Sequence, residues 1–333
     1  MFWYLLAILY SYGLIALRRL PLPVLVISSL PLVAFAALRG SSGKDTGLYL
    51  NRFNSFDPDS FKFSLFDEPI LNSLIYITKL FNGSHEIFFA FHASLVCILF
   101  VLALKRFEFV KLYFFTLGPM FLIDGITNGM RITIAYHLFL VAVAFKREIS
   151  AAPLIFLSHV TGILLYIAKY FANINKLRKL YQIIVLLISA IIVLVLASNI
   201  DSILALSPRI NSKVTQYGEL ILTTKYSGLA DLSVLFTLFL AVSLGPIKLL
   251  DRFIFLLLGI LVCTLFYLSI QQSLAFIRVL KLFLIGLLVS DYFVRKVSDR
   301  QLFLFKLIGV LYSLNFIRQI IFGPGFLPYP GDV

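Results

Sequence analysis

Over 333 residues the chain is 60% hydrophobic, carries 34 Phe, has 14% charged positions and a mean hydropathy of +0.98. That composition excludes an ordinary soluble domain and requires lipid as the main solvent. The net charge of +13 does not signal nucleic acid, because Lys and Arg fall in short clusters between apolar runs, as the positive-inside rule expects of membrane loops. In chain order the candidate spans are 2–17, 22–38, 87–104, 112–123, 131–145, 151–171, 183–198, 229–244, 253–270, 276–292 and 302–322, about eleven in an all-α, polytopic membrane protein. The run 2–17 lacks a basic n-region and a small-residue cleavage site, so it reads as a retained helix. The two cysteines, Cys97 and Cys263, sit inside apolar stretches as small hydrophobes and imply neither a disulfide nor a metal site.

Charge counting orders these spans. With the start outside, Arg18 and Arg19, then Lys105, Arg106 and Lys111, then Lys146 and Arg147 fall inside. A single crossing at 151–171 would put every later basic cluster outside. A re-entrant or hairpin segment there, entering from inside and returning, instead makes Lys176, Arg178, Lys179, Lys248, Arg252, Arg295, Lys296 and Arg300 cytoplasmic, and leaves Arg209, Lys213, Lys225 and Arg278 outside. Its apex falls near His159 and Gly162; Gly162 permits a sharp bend and Pro153 restricts the start. Non-helical backbone at membrane depth must be buried or line a wet cavity, so His159 is expected to face one. The chain then reads as one transmembrane domain, 1–333, with outer loops 39–86 and 198–228 embedded in it.

The outer loop 39–86 holds the clearest departure from apolar composition. It opens on Arg39, Gly40, Ser41, Ser42, Gly43, Lys44, Asp45, Thr46 and Gly47, and reaches Tyr49 and Arg52. Asp45 suits the cap of a helix starting at Thr46. Farther on, Asp67, Glu68 and Pro69 precede a stretch to Phe81 with apolar and polar residues at helical spacing, expected to lie along the outer surface.

Arg39, Arg52, Arg131 and Arg278 map to outer helix ends or loops, where cytoplasmic retention does not explain them; Lys281 lies one turn from Arg278 on the same face. Arginine stays charged and its planar fork pairs with phosphate oxygens. Taken singly, each is equally well a snorkelling side chain. His159 could act as base or donor, and Glu68 is the alternative base. His85, His92 and His137 make no metal-ligand spacing with carboxylates. Asp57, Pro58 and Asp59 look like the metal-binding acid pair of nucleotide-sugar transferases, but two acids around a proline are commoner as a turn, and no metal is expected. Acidic residues are scarce inside spans, which argues against a proton- or sodium-driven transporter.

These residues in this order resemble the EpsG family of polysaccharide polymerases, related to the Wzy-type O-antigen polymerases. The pattern is Leu38-Arg39-Gly40, then Gly43, Asp45, Thr46 and Tyr49 after the second span, Glu68-Pro69 before an amphipathic helix, Arg131 and Ala135 opening a span, and His159 followed by a small hydroxyl residue; Arg278 and Pro328-Tyr329 agree with weaker C-terminal features. Two positions depart from it: Thr161 stands where the family tends to have serine, and Ile132 where glutamine is common.

The resemblance implies a GT-C-like glycosyltransferase that joins oligosaccharide repeat units carried on undecaprenyl diphosphate. It implies a multi-pass protein of the bacterial inner membrane with its site facing outward. Arg39, Arg131, Arg278 and Lys281 would bind the diphosphate; His159 or Glu68 would activate the attacking hydroxyl; Asp45, Tyr49, Arg52 and Tyr329 would hold sugars. The expected transfer is metal-independent, cofactor-free and inverting. Donor and acceptor lipid-linked oligosaccharides, membrane lipid and a chain-length regulator protein are the implied partners. A flippase for the same lipids and a membrane O-acyltransferase are the competing classes, the first disfavoured by the lack of internal repeats.

Overall fold

The computed structural model describes residues 2–40, 42–43, 45–59, 68–171, 228–243, 249–272, 275–290 and 298–322. The expected span 183–198, the outer loop 198–227, Lys176 and its neighbours, and Tyr329 with the C-terminal tail lie outside the described residues. Every regular element among the described residues is helical. His85–Lys105, Arg252–Ile270 and Asp299–Gln319 are long and apolar enough to cross a membrane, and several shorter apolar helices accompany them. This is the helix set of a polytopic membrane protein.

The chain divides into two compact units, Met1–Leu165 with Gly309–Val333, and Tyr166–Ile308. In the first, α1 (Phe2–Ala16), α2 (Leu22–Ser28) and α3 (Leu30–Ala37) are followed by α4 (Thr46–Ser55) and α5 (Pro69–Leu80). Then come α6 (His85–Lys105), α7 (Phe107–Thr116), α8 (Gly118–Thr127), α9 (Met130–Ala144) and α10 (Glu148–Ser158). A 3₁₀ turn, Val160–Gly162, leads into α11 (Ile163–Phe171). Helix α6 is the hub, with α2, α3, α5, α7, α8 and α9 all packed on it, and α10 packs on α9. Its buried positions run almost all round, from Phe88 and Phe89 through His92, Val96, Cys97 and Phe100 to Leu104, as a helix surrounded by others requires.

The expected span 22–38 is an apolar helical run, Leu22–Ala37, interrupted only at Ser29, because Pro31 in the first turn of α3 has no N–H to give back to the preceding turn. Sequence and structure differ at another span. The stretch 112–123 is not one straight span: α7 and α8 meet at Leu117 with a bend of 75°. Pro119 in the first turn of α8 explains the break, and Gly118 allows it, since a Cβ there would lie 3.2 Å from the Phe114 ring. The break expected near the apex of 151–171 falls at His159, whose backbone is extended (φ −165°, ψ 128°) between α10 and the 3₁₀ turn.

Helix α5 runs where the amphipathic pattern puts it. Leu71, Ile75 and Thr78 face inward at i, i+4, i+7 spacing, while Ile77 and Leu80 are exposed. Tyr49, Phe53, Leu71, Ile75, Phe88, Phe89 and Met130 form one apolar cluster that joins α4, α5, α6 and α9, with the rings of Phe53 and Phe88 stacked at 5.6 Å.

In the second unit, α12 (Leu229–Ser243), α13 (Leu249–Gln272) and α14 (Ala275–Leu288) pack on one another. The amide of Gln301, near the start of α15 (Asp299–Phe322), donates to Ala241 O at 2.6 Å.

Candidate functional site

Helices α4, α5, α9 and α10 place Arg52, Arg131 and His159 around one carboxylate, Glu68. That residue sits at the N-cap of α5, directly before Pro69, which opens the helix. Its backbone is left-handed (φ 54°, ψ 60°), a conformation that costs a non-glycine residue roughly 1–2 kcal/mol and that a following proline disfavours further. Such strain persists only where the surroundings over-determine it, and it concentrates at functional sites. Here the surroundings are cationic. Arg52 Nη1 donates to Glu68 Oε2 at 2.5 Å, Arg131 Nη1 to Oε1 at 3.3 Å, and His159 Nε2 stands 3.7 Å from Oε1.

These side chains are partly open to the exterior, with exposures of 21% for Arg52, 13% for Glu68, 20% for Arg131 and 21% for His159. Two guanidiniums thus face one carboxylate, and partial burial strengthens these pairs, because charges inside low dielectric are screened less than in water.

Two more residues tune it. Asn72, one turn into α5 and buried, accepts from Arg52 Nε through Oδ1 at 3.1 Å, so Arg52 is fixed by Glu68 and Asn72 from the same helix end. His159 caps the 3₁₀ turn: its Nδ1 accepts from the Thr161 N–H at 3.3 Å and lies 2.6 Å from Thr161 Oγ1. Neither Asn72 nor Thr161 is singled out as a site residue by the sequence. The signal for Asn72 was its place four residues after Glu68 on one helix face; the signal for Thr161 was the small hydroxyl two residues after His159.

Below this cluster lies a second, fully buried polar layer that holds the α8–α9 turn. Arg39, 0% exposed, donates from Nη1 to Ile126 O at 2.5 Å and Thr127 O at 2.7 Å, and from Nη2 to Met130 Sδ at 3.2 Å. Its guanidinium carbon is 3.9 Å from the Phe89 ring centroid. Ile126 and Thr127 are the last carbonyls of α8, where a cation is favoured by both hydrogen bonding and the helix dipole. Tyr49, 1% exposed, donates to Asn128 O at 3.0 Å, and His92 Nε2 donates to Met130 O at 3.0 Å. Three buried side chains from three different parts of the chain therefore fix residues 126–130, and Arg131 follows immediately.

The ten residues singled out by sequence thus separate. Arg52, Glu68, Arg131 and His159 come together. Arg39 and Tyr49 are beneath them, closed to the exterior, because the α8 carbonyls and the Asn128 carbonyl need buried donors. Asp45 occupies the N-cap of α4, but its side chain makes no capping hydrogen bond; instead Thr46 Oγ1 donates to Ser42 O at 2.6 Å. Gly43 (φ +105°) lets this loop press on the α8–α9 turn, since a Cβ there would lie 3.0 Å from Asn128 Oδ1. Arg278 and Lys281 are three residues apart on α14, in the second unit. Tyr329 lies outside the described residues. The Asp57 carboxylate accepts the Asp59 N–H at 3.1 Å, the turn that two acids around a proline commonly make. Among the described residues no three His, Cys, Asp or Glu side chains gather in positions to hold a metal ion.

Residues 23–330, nearly the whole chain, match the family described as the EpsG family. The chain belongs to the EpsG family. It is accordingly a Wzy-type, polysaccharide polymerase-like membrane protein. A search of the curated proteins and of the solved structures finds no match. In this EpsG-family chain the matched region contains every residue of the Glu68 cluster and of the layer beneath it.

Proposed function

We propose that this protein polymerises undecaprenyl-diphosphate-linked oligosaccharide repeat units into a surface polysaccharide at the outer face of the bacterial inner membrane, by metal-independent, inverting glycosyl transfer. The observation that carries the reading is the Glu68 cluster. A lipid-diphosphate leaving group needs cations aimed at the charge that develops on it, and the acceptor hydroxyl needs a group to orient it and take its proton. Arg131 supplies the first, and Glu68 or His159 the second. Family membership favours a polymerase over a flippase or an acyltransferase for the same arrangement.

Arg131 is the primary diphosphate ligand in this reading, because its hydrogen bond to Glu68 is longer than that of Arg52 and a phosphate oxygen can replace it. Arg39 acts from beneath by fixing the turn that carries Arg131. Arg278 and Lys281 add diphosphate contacts, and Asp45, Arg52 and Tyr329 hold sugars near the mouth, within a GT-C-like arrangement of about eleven spans in which 151–171 returns to the side it entered. The carriers on both sides of the reaction are membrane lipids, and a chain-length regulator completes the assembly.

The test is reconstitution with purified lipid-linked repeat units, with product length followed on a gel. Wild type is expected to build chains beyond one unit, and Arg131→Ala and Glu68→Gln to stop at one. Wild type yielding no polymer overturns the function; both variants polymerising normally overturns the site. Sidedness is read by an impermeant thiol reagent added outside: Asp59→Cys is expected to label and Arg300→Cys to be shielded.

A further inference from the structure

We infer that Thr161 holds His159 as the tautomer with its proton on Nε2, so that the imidazole serves the reaction as a hydrogen-bond donor and Glu68 is the base. The inference rests on the glycosyl transfer proposed above for its roles, and on geometry alone for the tautomer. His159 is the N-cap residue of the 3₁₀ turn Val160–Gly162. An N-cap side chain must present an acceptor to the orphan N–H groups of the turn it opens. The imidazole does this with Nδ1, which accepts the Thr161 N–H at 3.3 Å. A backbone N–H cannot reverse its polarity, so Nδ1 carries a lone pair. The Thr161 hydroxyl, 2.6 Å from the same nitrogen, then donates to it as a second hydrogen bond. A neutral imidazole has one proton, and it resides on Nε2.

That nitrogen is the one turned to the site, 3.7 Å from Glu68 Oε1. For His159 to accept a proton from a sugar hydroxyl at Nε2, its own proton would have to move to Nδ1, which would set an N–H against the Thr161 N–H and break that hydrogen bond. The turn is held against such a change. Gly162 N donates to His159 O at 2.8 Å, and a Cβ on Gly162 would lie 2.8 Å from Ile155 Cγ2, so the turn is seated directly on α10.

Glu68 has the opposite character, being a carboxylate that only accepts. Its Oε1 receives Arg131 and is faced by His159 Nε2, so it occupies the place of the anion these donors are built to hold. A diphosphate oxygen taking over Arg131 and the His159 N–H would release Oε1, while Oε2 stays on Arg52. The acceptor oxygen then bonds to the anomeric carbon as that carbon's bond to the diphosphate oxygen breaks. The hydroxyl proton passes to Glu68 Oε1, and the electron pair leaves on the diphosphate, held by Arg131 and the His159 N–H. Thr161 touches none of the reacting atoms and is a positioning residue.

The experiment is nitrogen-15 spectroscopy of the full-length chain in lipid nanodiscs with ring-labelled histidine. Only four histidines are present, and His159→Gln removes, and so assigns, the relevant pair of signals. Wild type is expected to show Nδ1 unprotonated and Nε2 protonated, and Thr161→Ser and Thr161→Val, which both keep the backbone N–H, to hold that pattern, with the Nδ1 signal displaced in Thr161→Val by loss of the hydroxyl donor. A protonated Nδ1 in wild type overturns the tautomer, and an Nδ1 signal in Thr161→Val identical to wild type overturns the hydrogen bond from the Thr161 hydroxyl. In the polymerisation assay His159→Gln, whose amide can donate from nearly the same place, is expected to keep activity within about tenfold, and Glu68→Gln to lose about 100-fold or more. The reverse ranking overturns the assignment of Glu68 as base. Absence of polymer with wild type overturns the proposed function and the assignment of roles with it, whereas the tautomer is read from the spectrum regardless.

Discussion

Arg39 and Arg131 are the same residue type in one unit of one protein, linked through Met130, and their surroundings give them different work. Arg131 meets a carboxylate at 20% exposure, where an incoming anion can compete for it. Arg39 meets two helix-end carbonyls, a thioether and an aromatic face at 0% exposure, where nothing from outside can. In the proposed reading the upper layer exchanges partners and the lower keeps them. A guanidinium tolerates both because it never loses its charge and spreads five donors over a plane.

The comparison is broken most severely by removing the lower layer. Arg39→Ala leaves two buried carbonyls without their donor and a cavity beside Phe89, and is expected to cost about 3–5 kcal/mol of stability; the measurement is thermal unfolding in detergent, with Arg39→Lys recovering part of the loss. If Arg39→Ala melts as wild type does and loses only activity, the two layers are not distinct. Next in size, Glu68→Gln is expected to lower polymer formation by about 100- to 1000-fold with only a small drop in melting temperature, since the amide oxygen still accepts from Arg52 and the lost ion pairs are partly exposed.

Arg131→Lys sharpens the difference: a point charge replaces the fork, so initial rates should fall roughly 10-fold to 100-fold, with weaker binding of the lipid diphosphate in a titration. Asn72→Ala is the mildest. It frees Arg52 from its hydrogen bond to the α5 amide, and a several-fold rise in KM at unchanged kcat is expected, about 1 kcal/mol; a fall in kcat alone would show that Asn72 acts on the chemistry and not on Arg52.

Much of the fold is legible in the order of residues. The helix Pro69–Leu80 follows from Pro69 and from Leu71, Ile75 and Thr78 on one face, and the break at His159 from Gly162 in an apolar run. The bend at Leu117 is carried by Gly118 and Pro119, yet an apolar run of adequate length reads as straight when hydropathy alone sets its ends. At the site, Glu68, Arg131 and His159 are legible because polar groups beside lipid are costly and seldom idle. Arg39 and Tyr49 carry the same signal for a different reason: a helix end buried at the junction of α8 and α9 also demands polar donors.

Composition by itself determined that this chain lives in lipid as a set of apolar helices, since transfer free energy depends on residue content and not on arrangement. It also determined which few polar side chains had to be accounted for. Only the tertiary structure decided which of them meet. Arg52, Glu68, Arg131 and His159 are brought from four separate elements by packing around α6, and the depth at which each arginine comes to rest, open to an anion or sealed against backbone carbonyls, depends on neighbours distant in sequence.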